Sequence, residues 1–419
     1  MNEKIALGFG NNIDYEVVWN SAILEYLITK YGVRVDELDS EGPITSERDL
    51  LLSILGFLRS GHGGERTVAT SALLETFAAR FEKKVTLGGT SVRAATAMEK
   101  LGYTAALHLV TINNDVRRLL PQSSPYVCSN SYDSLFPHVI VQFVKGTRVK
   151  VGDVDITARH ANRIIYHKDD DNIAMKLSPA FADLVTDTKL FLVSGFNAMQ
   201  DEKLVADRLG VLRKIMKILP KGAVVFYEDA GYYEPNLRPL IFLALAAHDH
   251  IVSLNEDELQ GHLGKQLNFL HPVQIAKALV VLKKLIPAPA LVVHTMYWAL
   301  AYGVGAASFE RALKGGVTMA TTRFCYGDDF TAEHYKRVGN LLPQKESGVF
   351  AHALEKLLGS EVCCVPVAQV DPPNPTTIGL GDAFVGGFLA SMSDTSSEES
   401  SSTFLGGSNT PEPLGKSYE

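Results

Sequence analysis

Short apolar runs alternate with longer amphipathic stretches over the second half of the chain. The short runs predict strands, and the longer stretches repeat apolar residues every three or four positions, which predicts helices. The predicted strands are 190–193, 223–226, 251–254, 290–293 and 361–367, and the predicted helices are 200–219, 236–247 and 272–285. This alternation predicts an α/β protein whose mostly parallel sheet is covered by helices on both faces.

Polar residues follow several of these predicted strands. Glu228 comes after the second strand, Asn255 and Glu258 after the third, and His294 and Thr295 after the fourth. Ligands of such sheets bind outside the carboxyl ends of the strands, so these side chains are candidates for one ligand site. Taken singly, Glu228 and Glu258 are also consistent with solvated carboxylates at helix starts, and His294 with a structural histidine.

The first half of the chain begins with a predicted strand at 4–9, which leads into Asn12 and Asp14. These two side chains either meet a ligand above the strand end or stabilise a turn by bonding their own backbone. Apolar periodicity predicts helical structure within 15–60, most clearly at 50–58, and helices at 71–81 and 92–101. Gly88 and Gly89 precede the last of these helices, where a small polar ligand can approach the backbone closely.

Between 103 and 170 the pattern changes to short strands, predicted at 105–110, 138–143 and 164–166. We interpret this segment as β-rich inserted material that forms part of a lid. The charged run at 168–171 is expected to be a solvated loop.

Near the end of the chain, Gly379, Leu380, Gly381 and Asp382 precede a small and apolar run, 383–392, that predicts a helix. Backbone N–H groups at a glycine-rich helix start are unpaired and, with the helix dipole, bind anions. A carboxylate beside an anion site is electrostatically costly, which is explained if it takes the proton of a hydroxyl that attacks a phosphoryl group. The alternative is an ordinary glycine-rich turn in which Asp382 caps the helix.

Phosphoryl transfer needs a divalent cation to offset the charge of the phosphates, and carboxylate oxygens suit Mg²⁺, which keeps several of its waters. Glu228 and Glu258 are therefore candidate magnesium ligands, acting through water.

The bulk composition narrows the class of protein. The 419 residues are 46% hydrophobic and 21% charged, and a net charge of −7 with a pI near 6.0 does not indicate a nucleic-acid-binding face. No apolar run approaches the ~20 residues of a membrane span, and the first apolar run is too short for a signal peptide. The four cysteines lack metal-type spacing. These features fit a cytoplasmic enzyme, whereas the serine-rich segment 393–419 is expected to be disordered.

Together the motifs resemble those of a known family. The segment 376–382 is similar to the Gly-x-Gly-Asp signature of the ribokinase-like superfamily of sugar kinases, and more closely to its ADP-dependent glucokinase and phosphofructokinase branch. The segment 255–258 resembles the superfamily's Asn-x-x-Glu motif for magnesium and phosphate. The segments 12–14 and 88–89 resemble its sugar-binding turns, and 293–297 resembles a strand end of the same branch.

The resemblance implies roles for the matched residues. Asp382 would be the general base, and the N–H groups of Gly379, Leu380 and Gly381 would stabilise the transferred phosphoryl oxygens. The magnesium ion would be organised by Glu228, Glu258 and Asn255, and the nucleotide would be bound by Asn255, His294 and Thr295. The sugar would be held by Asn12, Asp14, Gly88 and Gly89, and Glu65 would correspond to a lid glutamate that favours glucose.

The implied fold is a three-layer, ribokinase-like α/β fold with a central, mostly parallel sheet and a smaller β-rich lid domain. The large nucleotide-binding domain would comprise 1–12, 71–102 and 171–392, and the lid would comprise 13–70 and 103–170. The implied activity is magnesium-dependent transfer of a phosphoryl group from ADP to a hydroxyl of glucose or fructose 6-phosphate. The expected partners are a small sugar and a nucleotide, with neither nucleic acid nor membrane, and the oligomeric state is left open.

Two departures from the family pattern keep other functions open. Phe226 stands where the branch has the histidine of a His-x-Glu motif, and Thr90 stands where it often has Asn or Gln. The alternatives are an ATP-dependent kinase of another acceptor and a non-catalytic sugar- or nucleotide-binding protein on the same fold.

Overall fold

The computed structural model describes residues 4–373 and 375–395 of the chain. The strands of this part are β1 (Lys4–Leu7), β2 (Asn12–Val17), β3 (Gly64–Thr67), β4 (Lys83–Gly88), β5 (Ala105–Leu109), β6 (Tyr126–Cys128), β7 (His138–Phe143), β8 (Arg148–Val151), β9 (Val154–Thr157), β10 (Asn162–His167), β11 (Thr188–Val193), β12 (Val224–Glu228), β13 (His250–Asn255), β14 (Ala290–His294), β15 (Trp298–Gly303) and β16 (Val362–Pro366).

The α-helices of the same part are α1 (Ser21–Tyr31), α2 (Glu47–Ser60), α3 (Ser71–Ala78), α4 (Thr90–Glu99), α5 (Asn114–Leu119), α6 (Asp170–Ala174), α7 (Phe181–Leu184), α8 (Glu202–Met216), α9 (Arg238–Leu245), α10 (Glu256–Leu263), α11 (Pro272–Leu285), α12 (Glu310–Tyr326), α13 (Ala332–Gly339), α14 (Lys345–Leu358) and α15 (Leu380–Thr395).

A nine-stranded sheet forms the centre of the molecule, in the order β16-β15-β14-β13-β12-β11-β1-β5-β6. The pairs from β14 to β6 are parallel, and β15 and β16 pair antiparallel at one edge. The predicted strands from 190 onward are all in this sheet. The prediction of a central, mostly parallel sheet is therefore confirmed.

Helices cover both faces of this sheet, because alternate residues of each buried strand point to opposite sides. In β12, Val225 and Tyr227 pack on the side of α8, α9, α11 and α14. Val224 and Phe226 pack on the other side, with α4, α12 and α15. The result is the three-layer α/β arrangement that the sequence predicts.

Helix α15 packs very closely against its neighbours. A Cβ atom at Gly386 would lie 2.8 Å from the carbonyl oxygen of Ala94 in α4. On another side, Phe384 covers Gly316 of α12, where a Cβ atom would lie 2.6 Å from the ring. Small residues at these positions allow the helix that carries Asp382 to lie between α4 and α12.

A smaller part of the molecule contains a five-stranded sheet in the order β3-β10-β7-β2-β4. Helices α1, α2 and α3 cover one of its faces, where they pack on residues such as Val139 and Val141. The alternate residues of the same strands, including Asp14 and His138, which lie opposite each other, are on the other face. This sheet corresponds to the predicted β-rich part.

Two segments contribute strands to a different sheet from the one that was predicted for them. Strand β4, within 71–102, was expected in the large domain but pairs with β2 in the five-stranded sheet. Strands β5 and β6, within 103–170, were expected in the lid but pair with β1 in the nine-stranded sheet. The physical reason is that a strand belongs to the sheet that contains its hydrogen-bonding partner, which a local apolar pattern does not specify.

The charged run at 168–171 is not the solvated loop that the sequence predicted. Asp169 is only 3% exposed and its carboxylate accepts hydrogen bonds from Asn172. In the predicted tail, residues 393–395 belong to helix α15, and 396–419 lie outside the described residues. Among the residues that are described, none of the helices has the length and apolar character needed to cross a membrane.

Candidate active site

The turn that precedes α15 is fixed by a positive backbone angle and two arginines. Gly379 has a φ of +64°, and a Cβ atom there would lie 2.8 Å from Nη1 of Arg93. Arg323 donates from Nε to the carbonyl oxygen of Ile378 at 2.7 Å. Leu380 and Gly381 lie in the first turn of α15, where backbone N–H groups have no partner within the helix. These N–H groups are therefore available to an anion, and the anion site at this turn remains a prediction.

Arg93, in α4, contacts carboxylates of strand β2 and of helix α15. Its Nη2 atom lies 2.6 Å from Oδ2 of Asp14 and 3.6 Å from Oε1 of Glu16, and its Nε atom lies 3.8 Å from Oδ2 of Asp382. Burial opposes the charged form of Arg93, but the charges of Asp14, Asp382 and Glu16 raise its pKa overall. We call Arg93, Asp14, Glu16 and Asp382 the arginine cluster.

The predicted sugar-binding residues lie beside this cluster. Asn12 and Asp14 are inside strand β2, not in a turn after the first strand, and Nδ2 of Asn12 donates to Asp14 at 2.6 Å. Gly88 pairs with Asn12 across the β2–β4 ladder, and Gly89 precedes α4. The alternative in which Asn12 and Asp14 bond their own backbone in a turn is therefore wrong.

Glu65 lies on the same face of the five-stranded sheet, in β3. Its side chain is exposed, yet partial desolvation by the surrounding protein raises its pKa, and the charges of Asp14 and Asp382 add to this effect. His138 and Arg163 act in the opposite direction. The structure thus places Glu65 within electrostatic reach of both Asp14 and Asp382.

A second group of charged residues lies at the ends of β12 and β14 and the start of α10. His294 Nε2 lies 2.9 Å from Oε1 of Glu228, whereas Oε2 of Glu228 is buried and has no hydrogen-bond partner among the described residues. Burial and the charges of Glu228 and Asp229 raise the pKa of Glu258 to about 8, although the N–H of Asn255 opposes this shift. We call Glu228, Glu256, Glu258 and His294 the acidic cluster.

His294 connects the acidic cluster to α15. Burial opposes its protonation, but the charge and hydrogen bond of Glu228 and the charges of Glu256 and Glu258 raise its pKa overall. Its ring stacks on Phe384, with centroids 4.5 Å apart, and a Cβ atom at Gly381 would lie 3.4 Å from it. The acidic cluster and the predicted anion site are therefore neighbours.

The side chains of Asn255 and Thr295 hold local turns. Oδ1 of Asn255 accepts from the N–H of Asp257 and Glu258, while a carboxylate oxygen of Glu258 accepts from the N–H of Asn255. Oγ1 of Thr295 accepts from two following N–H groups and donates to the carbonyl of Trp298. Both residues thus position the ends of β13 and β14, and a role in nucleotide binding remains a prediction for them.

The acidic cluster fits a hard cation that is held largely through water. In residues 4–373 and 375–395, no group of three histidine, cysteine or carboxylate side chains is arranged to bind a metal ion directly. An unpaired buried carboxylate oxygen and crowded negative charge, however, are features that a cation would satisfy. The donor set is therefore compatible with Mg²⁺ and its waters.

Phe226, which replaces the family histidine, does not point at this site. It is 1% exposed and its ring lies 5.1 Å from that of Phe388 in α15. The imidazole neighbour of Glu228 comes instead from His294. The substitution therefore changes the packing beneath Glu228 and leaves that carboxylate with a histidine partner.

Sequence reasoning missed Arg93 and His138. His138 lies 3.2 Å from Asp169, and burial opposes its charged form while Asp169, Asp14 and Glu65 raise its pKa overall. One signal for Arg93 was available: it is the only charged residue among the small and apolar residues from 90 to 98. An arginine at that place in a buried helix requires acidic partners.

The sequence model of the ADP-specific phosphofructokinase/glucokinase conserved region matches residues 3–390 of the chain. No curated protein sequence matches it. A phosphofructokinase from Pyrococcus horikoshii OT3 with AMP is similar in structure, with a TM-score of 0.75, 17% identity, and coverage of 95% of this chain and 99% of that one.

Two further solved structures have the same fold. An ADP-dependent kinase in complex with fructose 6-phosphate and ADPβS has a TM-score of 0.71 and 13% identity, and covers 93% of this chain and 94% of its own. The last common ancestor of ADP-dependent phosphofructokinases from Methanosarcinales has a TM-score of 0.70 and 15% identity, with 94% of each chain covered. At these identities the likeness establishes the fold alone.

Proposed function

The chain belongs to the ADP-specific phosphofructokinase/glucokinase family of sugar kinases, and from that membership we propose that it moves a phosphoryl group from ADP to a hydroxyl of glucose or fructose 6-phosphate. Asp382 acts as the general base, and Mg²⁺ is held near Glu228 and Glu258. The smaller part of the molecule closes over the acceptor and excludes water, which would otherwise compete as acceptor.

The observation that supports this reaction most directly is the position of Asp382. It lies in the first turn of α15, beside unpaired N–H groups, and Arg93 links it to Asp14 on the predicted sugar-binding strand. The proposed base, the proposed anion site and the proposed acceptor-binding carboxylate are thus adjacent, which supports in-line phosphoryl transfer.

In the proposed reaction the acceptor oxygen attacks the β-phosphorus of ADP, and its proton passes to a carboxylate oxygen of Asp382. The bond from that phosphorus to the bridging oxygen breaks, and AMP leaves. The N–H groups of Gly379, Leu380 and Gly381 donate to the oxygens of the phosphoryl group in transit. A magnesium ion bound near Glu228 and Glu258 would offset the negative charge of the phosphates.

Two side chains bear on the choice of acceptor. Asn12, Asp14, Gly88 and Gly89 would hold the hydroxyls common to both sugars. Glu65 would accept a hydrogen bond from a hydroxyl and disfavour a phosphate, which supports glucose, whereas the charge of the nearby Arg163 would favour the phosphate of fructose 6-phosphate. The acceptor is therefore the property that the first assay must decide.

The test is a turnover assay with Mg²⁺ in which ADP and ATP are crossed with glucose, fructose 6-phosphate and ribose. AMP formation with ADP and a sugar is expected. In the same assay, Asp382→Asn should lower kcat about 10³-fold, because the acceptor hydroxyl loses its base. ADP binding measured by calorimetry should be retained, and Asp329→Asn, at an exposed position of a different segment, should retain turnover. Near-normal kcat of Asp382→Asn at saturating substrates would overturn the proposal.

A second candidate is an ATP-dependent kinase on the same fold, which the phenylalanine at position 226 favours because the family histidine is absent. Turnover with ATP and none with ADP would establish it. A non-catalytic binding protein predicts thermal stabilisation by sugar or nucleotide without product, and any detectable product rejects it.

A further inference from the structure

The arginine cluster joins the two carboxylates that the proposed reaction needs at a fixed separation. We propose that Arg93 is a positioning residue: its one guanidinium holds the base Asp382 and the acceptor-binding Asp14 in register, and so aligns the acceptor hydroxyl with the base. This inference rests on the function proposed above and adds a residue that the family motifs do not include.

The geometry of the contacts is specific to a guanidinium. Nη2 reaches Asp14 at 2.6 Å, Nε faces Asp382 at 3.8 Å, and Nη1 lies directly under Gly379, where a Cβ atom would come within 2.8 Å. A planar fork makes these contacts in different directions at the same time, which the single ammonium of a lysine does not. The side chain of Arg93 is only 7% exposed, so solvent screens these contacts little.

The contacts of Arg93 also connect the five-stranded sheet to helix α15. Asp14 belongs to the five-stranded sheet, whereas Asp382 belongs to a helix that packs on the nine-stranded sheet. Asp14 is 6% exposed and Asp382 is 22% exposed, and Glu16 also approaches the same guanidinium. Without Arg93, Asp14 would keep only the more distant His138, whose Nδ1 lies 4.0 Å from its Oδ1, and the repulsion among the three carboxylates would favour separation of Asp14 from Asp382.

The rate of the proposed reaction depends on the distance between the acceptor and the base. Asp14 would hold the acceptor and Asp382 would take its proton, and a displacement of about 1 Å between such groups costs on the order of 10² in rate. Arg93 itself remains protonated and touches neither proton donor nor phosphoryl group in this scheme. It acts through the two carboxylates.

The test compares Arg93→Lys with Arg117→Lys, whose ion pair with Asp133 lies on the surface. Arg93→Lys keeps the charge but not the fork, so we expect kcat to fall about 30-fold and the KM of the acceptor to rise, while the KM of ADP changes less than twofold. Arg117→Lys should behave as the wild type. Rates are expressed per ADP-binding site counted by calorimetry, so that unfolded protein does not register as lost activity.

A second comparison separates positioning from general loss of structure. In an Asp382→Asn background, Arg93→Lys should cause no further loss of the residual kcat at saturating acceptor, because alignment of the acceptor with the base no longer matters once the base is gone. A structural defect would reduce that residual rate by a similar factor again. Arg93→Gln, which has a different volume and no charge, should show the same pattern if Arg93→Lys proves too unstable to assay.

The outcomes are distinguishable from failure of the proposed function. If Asp382→Asn is inactive while Arg93→Lys and Arg93→Gln retain wild-type kcat, the inference about Arg93 is wrong and the proposed function stands. If Arg93→Lys lowers the rate equally with and without Asp382, Arg93 is a structural residue only. If Asp382→Asn keeps full turnover, the proposed function is wrong, and the inference about Arg93 is then wrong as well.

Discussion

The arginine cluster and the acidic cluster both contain buried or half-buried carboxylates. They differ in how the negative charge of these carboxylates is compensated. In the arginine cluster, Asp14, Glu16 and Asp382 share Arg93. Its Nη2 atom lies 2.6 Å from Oδ2 of Asp14. In the acidic cluster, Glu228 pairs with His294, its other carboxylate oxygen has no hydrogen-bond partner within 4–373 and 375–395, and the pKa of Glu258 is raised to about 8 by burial and neighbouring charge.

The difference bears on the ligand that is proposed for each cluster. Carboxylates that are already paired with a cation have hydrogen-bond acceptors to offer but little attraction for another ion, which suits a neutral hydroxyl group. Carboxylates that are buried without such a partner gain most from a cation. The four predictions below test whether this contrast in charge compensation corresponds to a contrast in function.

The largest effect is expected for Glu228→Gln. The substituted side chain keeps an acceptor for His294 but removes the charge, so kcat/KM should fall about 10³-fold and the thermal stabilisation by Mg²⁺ should disappear. Melting curves with and without Mg²⁺, together with turnover, measure both. Asp257→Asn, an exposed carboxylate in the same turn, is the control and should preserve both properties.

In the metal-free protein Glu228→Gln should not be destabilising, because it relieves crowded negative charge. A loss of stability as large as that of Asp14→Asn would contradict the contrast between the clusters.

Asp14→Asn should have the next largest effect, on stability. It breaks the closest buried ion pair of the arginine cluster and leaves Arg93 undercompensated, so the free energy of unfolding should fall by about 3 kcal/mol. Urea denaturation measures this quantity. Asp155→Asn, which breaks an exposed pair with Arg148, should give no measurable change. Equal stability of Asp14→Asn and wild type would mean that the cluster is not held by this pair.

The acidic cluster also predicts a pH dependence. The pKa of Glu258 is about 8 in the folded protein and 4.5 ordinarily, so between these values the folded state binds a proton that the unfolded state releases. This contribution to stability is present below about pH 4.5 and is lost as the pH rises towards 8. Melting temperatures of the protein in EDTA should therefore fall more steeply from pH 5 to 8 than those of Glu258→Gln, by several degrees.

Asp257→Asn again serves as the control and should follow the wild-type pH curve. Parallel curves for wild type and Glu258→Gln would show that Glu258 titrates normally and that the acidic cluster is not strained.

The smallest effect is expected for Tyr233→Phe, outside both clusters. The hydroxyl of Tyr233 bonds Thr67 at 2.9 Å and the ring of His167, so it joins the connection after β12 to the five-stranded sheet. Burial and the charge of His138 lower the pKa of His167 to about 3, so the ring is neutral. Removing the hydroxyl should raise the KM of the acceptor about threefold at unchanged kcat.

Tyr26→Phe, at an exposed position of α1, is its control. A fall in kcat of Tyr233→Phe as large as that of Arg93→Lys would show that closure, and not the alignment of two carboxylates, is the sensitive step.

Local sequence patterns were sufficient for much of the fold. Strand β7 and helix α11 have the bounds that the apolar pattern predicts, and β11 to β14 follow in the expected order, because buried parallel strands and amphipathic helices have distinct periods. The placement of β4, β5 and β6 was not predictable in this way, since it depends on which distant strand supplies the hydrogen bonds.

The candidate site was predictable where a motif supplied it and not elsewhere. Asp382, Glu228 and Glu258 follow glycines or strands in recognisable patterns. Arg93 and Asp169 do not: their roles arise from partners 79 and 31 residues away, Asp14 and His138, and from burial that the sequence does not reveal. The position of Glu228, Asn255 and His294 at strand ends is therefore confirmed and their roles remain predictions, whereas the interpretation of 168–171 as a solvated loop was wrong.

The position of α15 has a consequence for how the protein is made. Strand β2, with Asp14, is among the first elements to leave the ribosome, whereas α15, with Asp382, is synthesised after every other described element. Helix α15 packs tightly between α4 and α12. The space between α4 and α12 must therefore stay unfilled until α15 has been synthesised. Under the proposed function, turnover would therefore begin only after α15 docks between these two helices.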